Sequence, residues 1–147
     1  MEKQTKNDSF IRWQATTITQ FGYTLNLVLT LSVASLGFAA TLLTNDNFSP
    51  VGVCKFMYLC SLICLVSSIM LGIWCSINRL TDFRLTAKIT RLRNKADHVE
   101  DVKKLRIKTV QLGKKTWELF YFQIGSFGGG ILLLILTVAV INIEKLI

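Results

Sequence analysis

The chain predicts an all-α integral membrane protein in which three long transmembrane helices carry a cytoplasmic basic helical hairpin. Two observations predict it. First, residues 21–43, 56–78 and 119–143 contain no Asp, Glu, Lys, Arg or His, and each run exceeds the roughly 20 residues needed to cross a hydrocarbon core of about 30 Å. Three such helices in 147 residues leave no amphipathic shell to cover them in water. Second, fifteen of the seventeen basic residues fall before the first run or between the second and third.

The first helix is expected over about residues 9–44, with Asp8 or Ser9 as N-cap and Trp13 near the headgroups. It starts too far into the chain, and stays apolar too long, for a cleavable signal peptide. The stretch 44–50 combines turn formers with Pro50, which suits the first turn of a second helix over about 51–95. That helix continues past the apolar run, since 79–95 holds neither Gly nor Pro. A turn is expected at about Ala96. Asp97 and Glu100 form a capping-box-like start, with Asp101 adding negative charge, for a third helix over about 98–145. Val102, Leu105, Thr109, Leu112 and Thr116 make a stripe that can pack on Leu85, Ile89 and Leu92. The whole, 1–147, reads as a single membrane domain.

Orientation follows from lysine and arginine, which stay on the cytoplasmic side. Lys3, Lys6 and Arg12 precede the first span, and twelve basic residues lie in 79–118, against Lys55 and Lys145 on the other side. The expected location is a bacterial inner (plasma) membrane, N-terminus cytoplasmic and C-terminus outside.

The basic residues of the hairpin follow helical spacing. Arg84, Lys88, Arg91 and Lys95 share one face of one arm, and Lys104, Lys108 and Lys115 share one face of the other. The positive-inside rule accounts for those near the membrane. A stripe reaching about 25 Å beyond it also suits a polyanion such as single-stranded nucleic acid or a nucleotide signal, or a cytoplasmic partner protein. The distal hairpin has no aromatic residue, so any nucleic-acid contact would go through phosphates.

Gly125, Ser126, Gly128, Gly129 and Gly130 supply small-xxx-small pairs that let helices approach closely in lipid. They serve packing against the Ser32, Ser35 and Ala39 stripe of the first span, a contact between copies (a tetramer being the expected assembly), or a gating point. Asn26, Thr30 and Gln123 are candidates to line a water-filled conduit, or to bond across helices.

The spans hold no ionisable group of the kind proton relays and coupled pumps place at membrane depth. No nucleophile, base and acid set, phosphate loop or metal-ligand pattern is present, so neither an enzyme nor a metal or cofactor is expected. Cys54, Cys60, Cys64 and Cys75 read as small apolar packing residues.

The unbroken passage Trp74-Cys75-Ser76-Ile77-Asn78-Arg79-Leu80-Thr81-Asp82-Phe83-Arg84, with the basic hairpin after it, resembles small bacterial membrane effectors of anti-phage defence. These include two-span SLATT-type effectors and the channel subunit of the Hailong system. The third span departs from the two-span pattern. The resemblance implies a homo-oligomeric pore, controlled by a nucleotide-derived ligand, that depolarises the membrane. The expected function is thus a homo-oligomeric channel or pore-forming effector in antiviral defence, gated through its hairpin. The alternative is a non-conducting anchor or scaffold that recruits a cytoplasmic partner.

Overall fold

The computed structural model describes residues 2–45, 48–93 and 99–142. They form three helices: α1 (Glu2–Leu43), α2 (Val53–Arg93) and α3 (Val99–Ile141). Each has 41 to 43 residues and is therefore about 60 Å long at 1.5 Å per residue, twice the depth of a hydrocarbon core. All three contain a stretch long and apolar enough to cross a membrane.

Hydroxyl side chains inside the helices bond back to their own backbone. Thr24 donates to the Gln20 carbonyl at 3.0 Å, Ser76 to Gly72 at 3.0 Å and Thr137 to Leu133 at 2.7 Å. In an apolar solvent this leaves each hydroxyl with a partner on its own helix.

Two boundaries differ from the sequence expectation. Helix α1 begins at Glu2 and runs through Asp8 and Ser9. The intervening Glu, Lys and Gln are good helix formers, and they outweigh a local cap. Helix α2 begins at Val53, so Pro50 lies in the connection and not in the first turn. The chain turns in at Gly52, whose φ of +56° only glycine adopts without strain, and the Gly52 carbonyl accepts from the Phe56 amide at 3.4 Å. The expected turn at Ala96, Asp97 of its capping box and the end of the third helix at 145 lie outside the described residues. Glu100 and Asp101 do occupy the first turn of α3, where the helix dipole favours negative charge.

The central helix is α2. It packs along α3, and α1 lies against that pair mainly through α2. The pairing of α2 with α3 is antiparallel: Tyr58 and Leu134 share a cluster at one end, and Cys75 with Phe120 shares another. Along the same seam Gly130 meets Cys64 and Leu65, and Gly72 meets Gln123. Helix α1 is antiparallel to α2, with Ala39 beside Tyr58 and Phe21 beside Arg79.

The expected packing of the third-span glycines on Ser32, Ser35 and Ala39 is not what forms. Ser32 instead meets Ser68 of α2, Oγ to Oγ at 3.1 Å, and the Ala39 carbonyl accepts from the Tyr58 hydroxyl. Gly130 faces Leu65 and Cys64 of α2. Tyr58 and Ser68 of α2 each meet both α1 and α3, while a Cβ at Gly125, Gly128 or Gly129 would meet nothing within 4 Å.

The fold is reversed in polarity relative to a water-soluble bundle. Ser32, Ser61, Ser68, Gln123 and Thr137 have no exposed surface, while Leu27, Ile63, Met70, Phe122, Leu132 and Ile135 stand on the outside. In water this arrangement would strand apolar surface. In lipid it covers the polar atoms and leaves the outer face matched to acyl chains.

Candidate functional site

The spans enclose a polar layer about midway between the two apolar clusters. Ser68 of α2 donates to the Gln123 backbone carbonyl of α3 at 3.1 Å, and its oxygen lies 3.1 Å from Ser32 Oγ of α1. Ser32 in turn donates to the Val28 carbonyl at 2.8 Å. All three helices therefore contribute. The Gln123 side chain enters this layer fully buried, yet neither Nε2 nor Oε1 has a hydrogen-bond partner. It fits because α2 has glycine opposite. A Cβ on Gly72 would stand 2.5 Å from Gln123 Nε2 and 2.6 Å from Leu29 Cδ1. Leaving such an amide unpaired costs about 1–3 kcal/mol.

Asn26 and Thr30 are placed differently from Gln123. Both are exposed on the outer face of α1. Thr30 donates to the Asn26 carbonyl at 2.9 Å, and Asn26 borders a groove with Ser76 and Leu80. Gln123 is buried and Asn26 and Thr30 are exposed, so the three share no surface within the chain.

The glycines of α3 divide into two faces. Gly130 is in tight contact, since a Cβ there would lie 3.1–3.2 Å from Leu65 and Cys64. At Gly125, Gly128 and Gly129 a Cβ would meet nothing within 4 Å. At about 100° per residue these three fall opposite the α2 contact. Ser126 is half-buried between the two faces. The result is a bare notch on the outside of α3, between exposed Tyr121 and Phe122 on one side and Leu132 and Leu136 on the other.

Beyond the spans, α2 and α3 continue as paired arms. The half-buried residues are Leu85, Ile89 and Leu92 on α2, with Val102, Leu105, Thr109 and Leu112 on α3, and these make a narrow seam. Arg84, Lys88, Arg91, Lys104, Lys108 and Lys115 are all exposed; Lys95 lies outside the described residues. Each basic set sits roughly 110° round its helix from the seam, in the same sense. In an antiparallel pair the same sense places both on one flank, so the arms present a single basic face. Lys115 stands at the membrane end of it, its ammonium 5.7 Å from the centroid of the Trp74 ring. The opposite flank carries Ile107 and Val110, exposed between Lys103 and Arg106.

At the junction of spans and arms, Arg79 ties α2 to α1. Its guanidinium lies 4.9 Å from the Phe21 ring centroid and 5.5 Å from that of Phe83, and it donates to the Ile18 carbonyl of α1. Phe21 also stacks against Trp117 and Phe120 of α3, at 4.9 and 4.7 Å. Asn78 Nδ2, Asp82 Oδ1 and Thr109 Oγ1 nearby are buried without partners.

Sequence reasoning passed over two of these residues. Arg79 was readable only as one more positive charge on the inner side. Gly72 had a signal, being an isolated glycine inside a helical apolar run, which usually marks a close approach. Its partner, Gln123, is 51 residues away and could not be read from spacing. No protein-family model, curated protein or solved structure matches this chain.

Proposed function

We propose that the chain assembles into a homo-oligomeric membrane channel, closed at a polar layer at mid-depth and opened through its basic arms on the cytoplasmic side. The observation that carries this reading is Gln123. A fully buried amide with both polar atoms unpaired is costly in a closed bundle. A state that admits water to the Ser32, Ser68 and Gln123 layer supplies the missing bonds, so the closed state is poised against an open one. Assembly uses the notch at Gly125, Gly128 and Gly129, which has room for a helix from a neighbouring copy. Asn26 and Thr30, exposed on the outer face of α1, would then line the space between copies and not within one. The basic flank would draw a single-stranded nucleic acid or nucleotide signal through its phosphates. This is the chemistry expected of a depolarising effector in antiviral defence.

Planar-bilayer recording of the purified protein tests it. The expected result is discrete conductance that rises when a short single-stranded oligonucleotide is added on the side of the basic arms. Silence under both conditions, from protein shown to be inserted, would sink the reading. The sidedness has its own test, motivated by the distribution of basic residues. In a cysteine-free background, Ser49→Cys should react with a membrane-impermeant thiol label on intact cells and Thr90→Cys should not. Labelling at Thr90 alone would invert the topology.

A second reading is favoured by exposed Ile107 and Val110 on the other flank of the arms. Two apolar side chains there suit a protein partner better than water, as a non-conducting anchor would require. The same bilayer recording separates the two.

A further inference from the structure

A cavity of about 190 Å³ opens where the spans meet the arms, lined by all three helices. Thr17, Ile18 and Phe21 come from α1, Arg79, Asp82 and Phe83 from α2, and Gly113, Thr116 and Trp117 from α3. Its depth is fixed by the sequence. Arg79 is the first charge after the apolar run of α2, and Glu118 with Lys115 borders the run of α3. The cavity therefore sits at headgroup level on the basic side.

Its chemistry is unusual in holding both signs of charge unneutralised. Arg79 and Asp82 are one helical turn apart, about 5–6 Å between Cβ atoms, but no ion pair joins them. The guanidinium is turned onto Phe21 and Phe83 and spends one donor on the Ile18 carbonyl, which leaves further N–H groups for an acceptor. The Asp82 carboxylate has its Oδ1 buried with no donor. The rest of the wall is apolar and aromatic. Gly113 leaves the floor open, since a Cβ there would meet nothing within 4 Å.

We propose that this cavity binds the headgroup of a zwitterionic lipid bearing a primary ammonium, phosphatidylethanolamine, from the leaflet on the basic side. The phosphate takes the free donors of Arg79, and the ammonium, two carbons away, donates to Asp82. The acyl chains leave along the apolar outer face between α1 and α3. A purely anionic headgroup satisfies Arg79 but leaves Asp82 unpaired. A choline headgroup carries the positive charge but has no N–H to give. The preference is therefore for ethanolamine over both. Bound lipid would tie the three helices together at the joint between gate and arms, so this inference deepens the channel reading without needing conductance.

The test is the thermal-unfolding midpoint of the full chain in mild detergent, titrated with phosphatidylethanolamine, phosphatidylglycerol or phosphatidylcholine of matched acyl chains. A ligand that binds the folded state raises the midpoint in proportion to its binding. The expected order is ethanolamine well above the other two. Asp82→Asn should erase the advantage of ethanolamine over glycerol. Gly113→Leu, which adds a side chain to the cavity wall where a Cβ would meet nothing within 4 Å, should weaken the ethanolamine effect at least tenfold in half-maximal concentration. Free phosphoethanolamine should shift the midpoint little, because it lacks the acyl chains. Equal shifts from all three lipids in the wild type would overturn the proposal. So would an ethanolamine preference that survives both substitutions, or one reproduced in full by free phosphoethanolamine. A silent bilayer recording would remove the channel and leave this result standing.

Discussion

The two halves of the α2–α3 pair solve opposite problems with the same helices. Within the spans the pair buries Ser68, Gln123 and Thr137 and shows Leu, Ile and Phe to the outside. In the arms it half-buries a thin seam of Leu85, Ile89, Leu105 and Leu112, and shows Arg84, Lys88, Lys104 and Lys108. The switch occurs within about one turn, around Arg79. The span half has a third helix against it and is closely packed at Gly72 and Gly130. The arm half rests on a single seam. The difference teaches that the apolar runs decide the fold, while the arms are free to carry charge for another purpose.

Truncating a buried side chain of the spans and an exposed one of the arms should show the largest difference. Leu134, 5% exposed and packed against Ala39 and Tyr58, should cost about 2–5 kcal/mol when changed to Ala. Ile107, 61% exposed on the arm, should cost less than about 0.5 kcal/mol on the same change. Unfolding in detergent measures both. Similar losses would mean that the arms are as tightly built as the spans, or that Ile107 is covered in the assembly.

A smaller effect sharpens the contrast between two faces of α3. Gly130→Leu drives a side chain into Leu65 and Cys64, and should lower protomer stability by roughly 1–3 kcal/mol. Gly129→Leu meets nothing within the protomer. It should leave insertion and unfolding unchanged but abolish the oligomer seen by crosslinking or size exclusion. An oligomer that survives Gly129→Leu would take the notch out of the assembly.

Legibility from sequence divides along the same line. The three spans could be read because a charge-free run of more than 20 residues has few other fates. The seam of the arms could be read because apolar side chains recur at helical spacing. Pro50 and Asp8 misled, since the local preference of one residue is small beside the helix propensity of its neighbours or the positive φ of Gly52. The direction of the glycines could not be read at all. In an apolar solvent both faces of α3 are made of small and apolar residues, so composition does not say which one meets α2. The same uniformity hid the contact of Gly72 with Gln123, and with it a buried amide that has no partner among the described residues.

The smallest effect on the fold should come from the basic flank. Lys88→Glu with Arg91→Glu replaces two exposed side chains on the arm. Stability should change by less than about 0.5 kcal/mol, with the oligomer intact. Binding of a short single-stranded oligonucleotide should fall sharply. The slope of log affinity against log salt should become shallower by about 0.7 for each phosphate that the arm no longer neutralises. Tight wild-type binding with an unchanged slope in the double variant would remove this flank from ligand recognition.

The central claim is that the unpaired Gln123 weakens the closed state relative to an open, hydrated one, and Gln123→Leu addresses it directly. Leucine fills nearly the same space and removes two unsatisfied atoms, a replacement that is neutral or stabilising where the partner is also apolar. Leu29 and Gly72 supply such surroundings. Paired recordings in planar bilayers, with unfolding midpoints taken on the same preparations, should therefore show the two properties moving apart. The account predicts a midpoint equal to or above wild type together with open probability reduced at least tenfold. Undiminished conductance in Gln123→Leu, or a lower midpoint accompanied by normal gating, would contradict it.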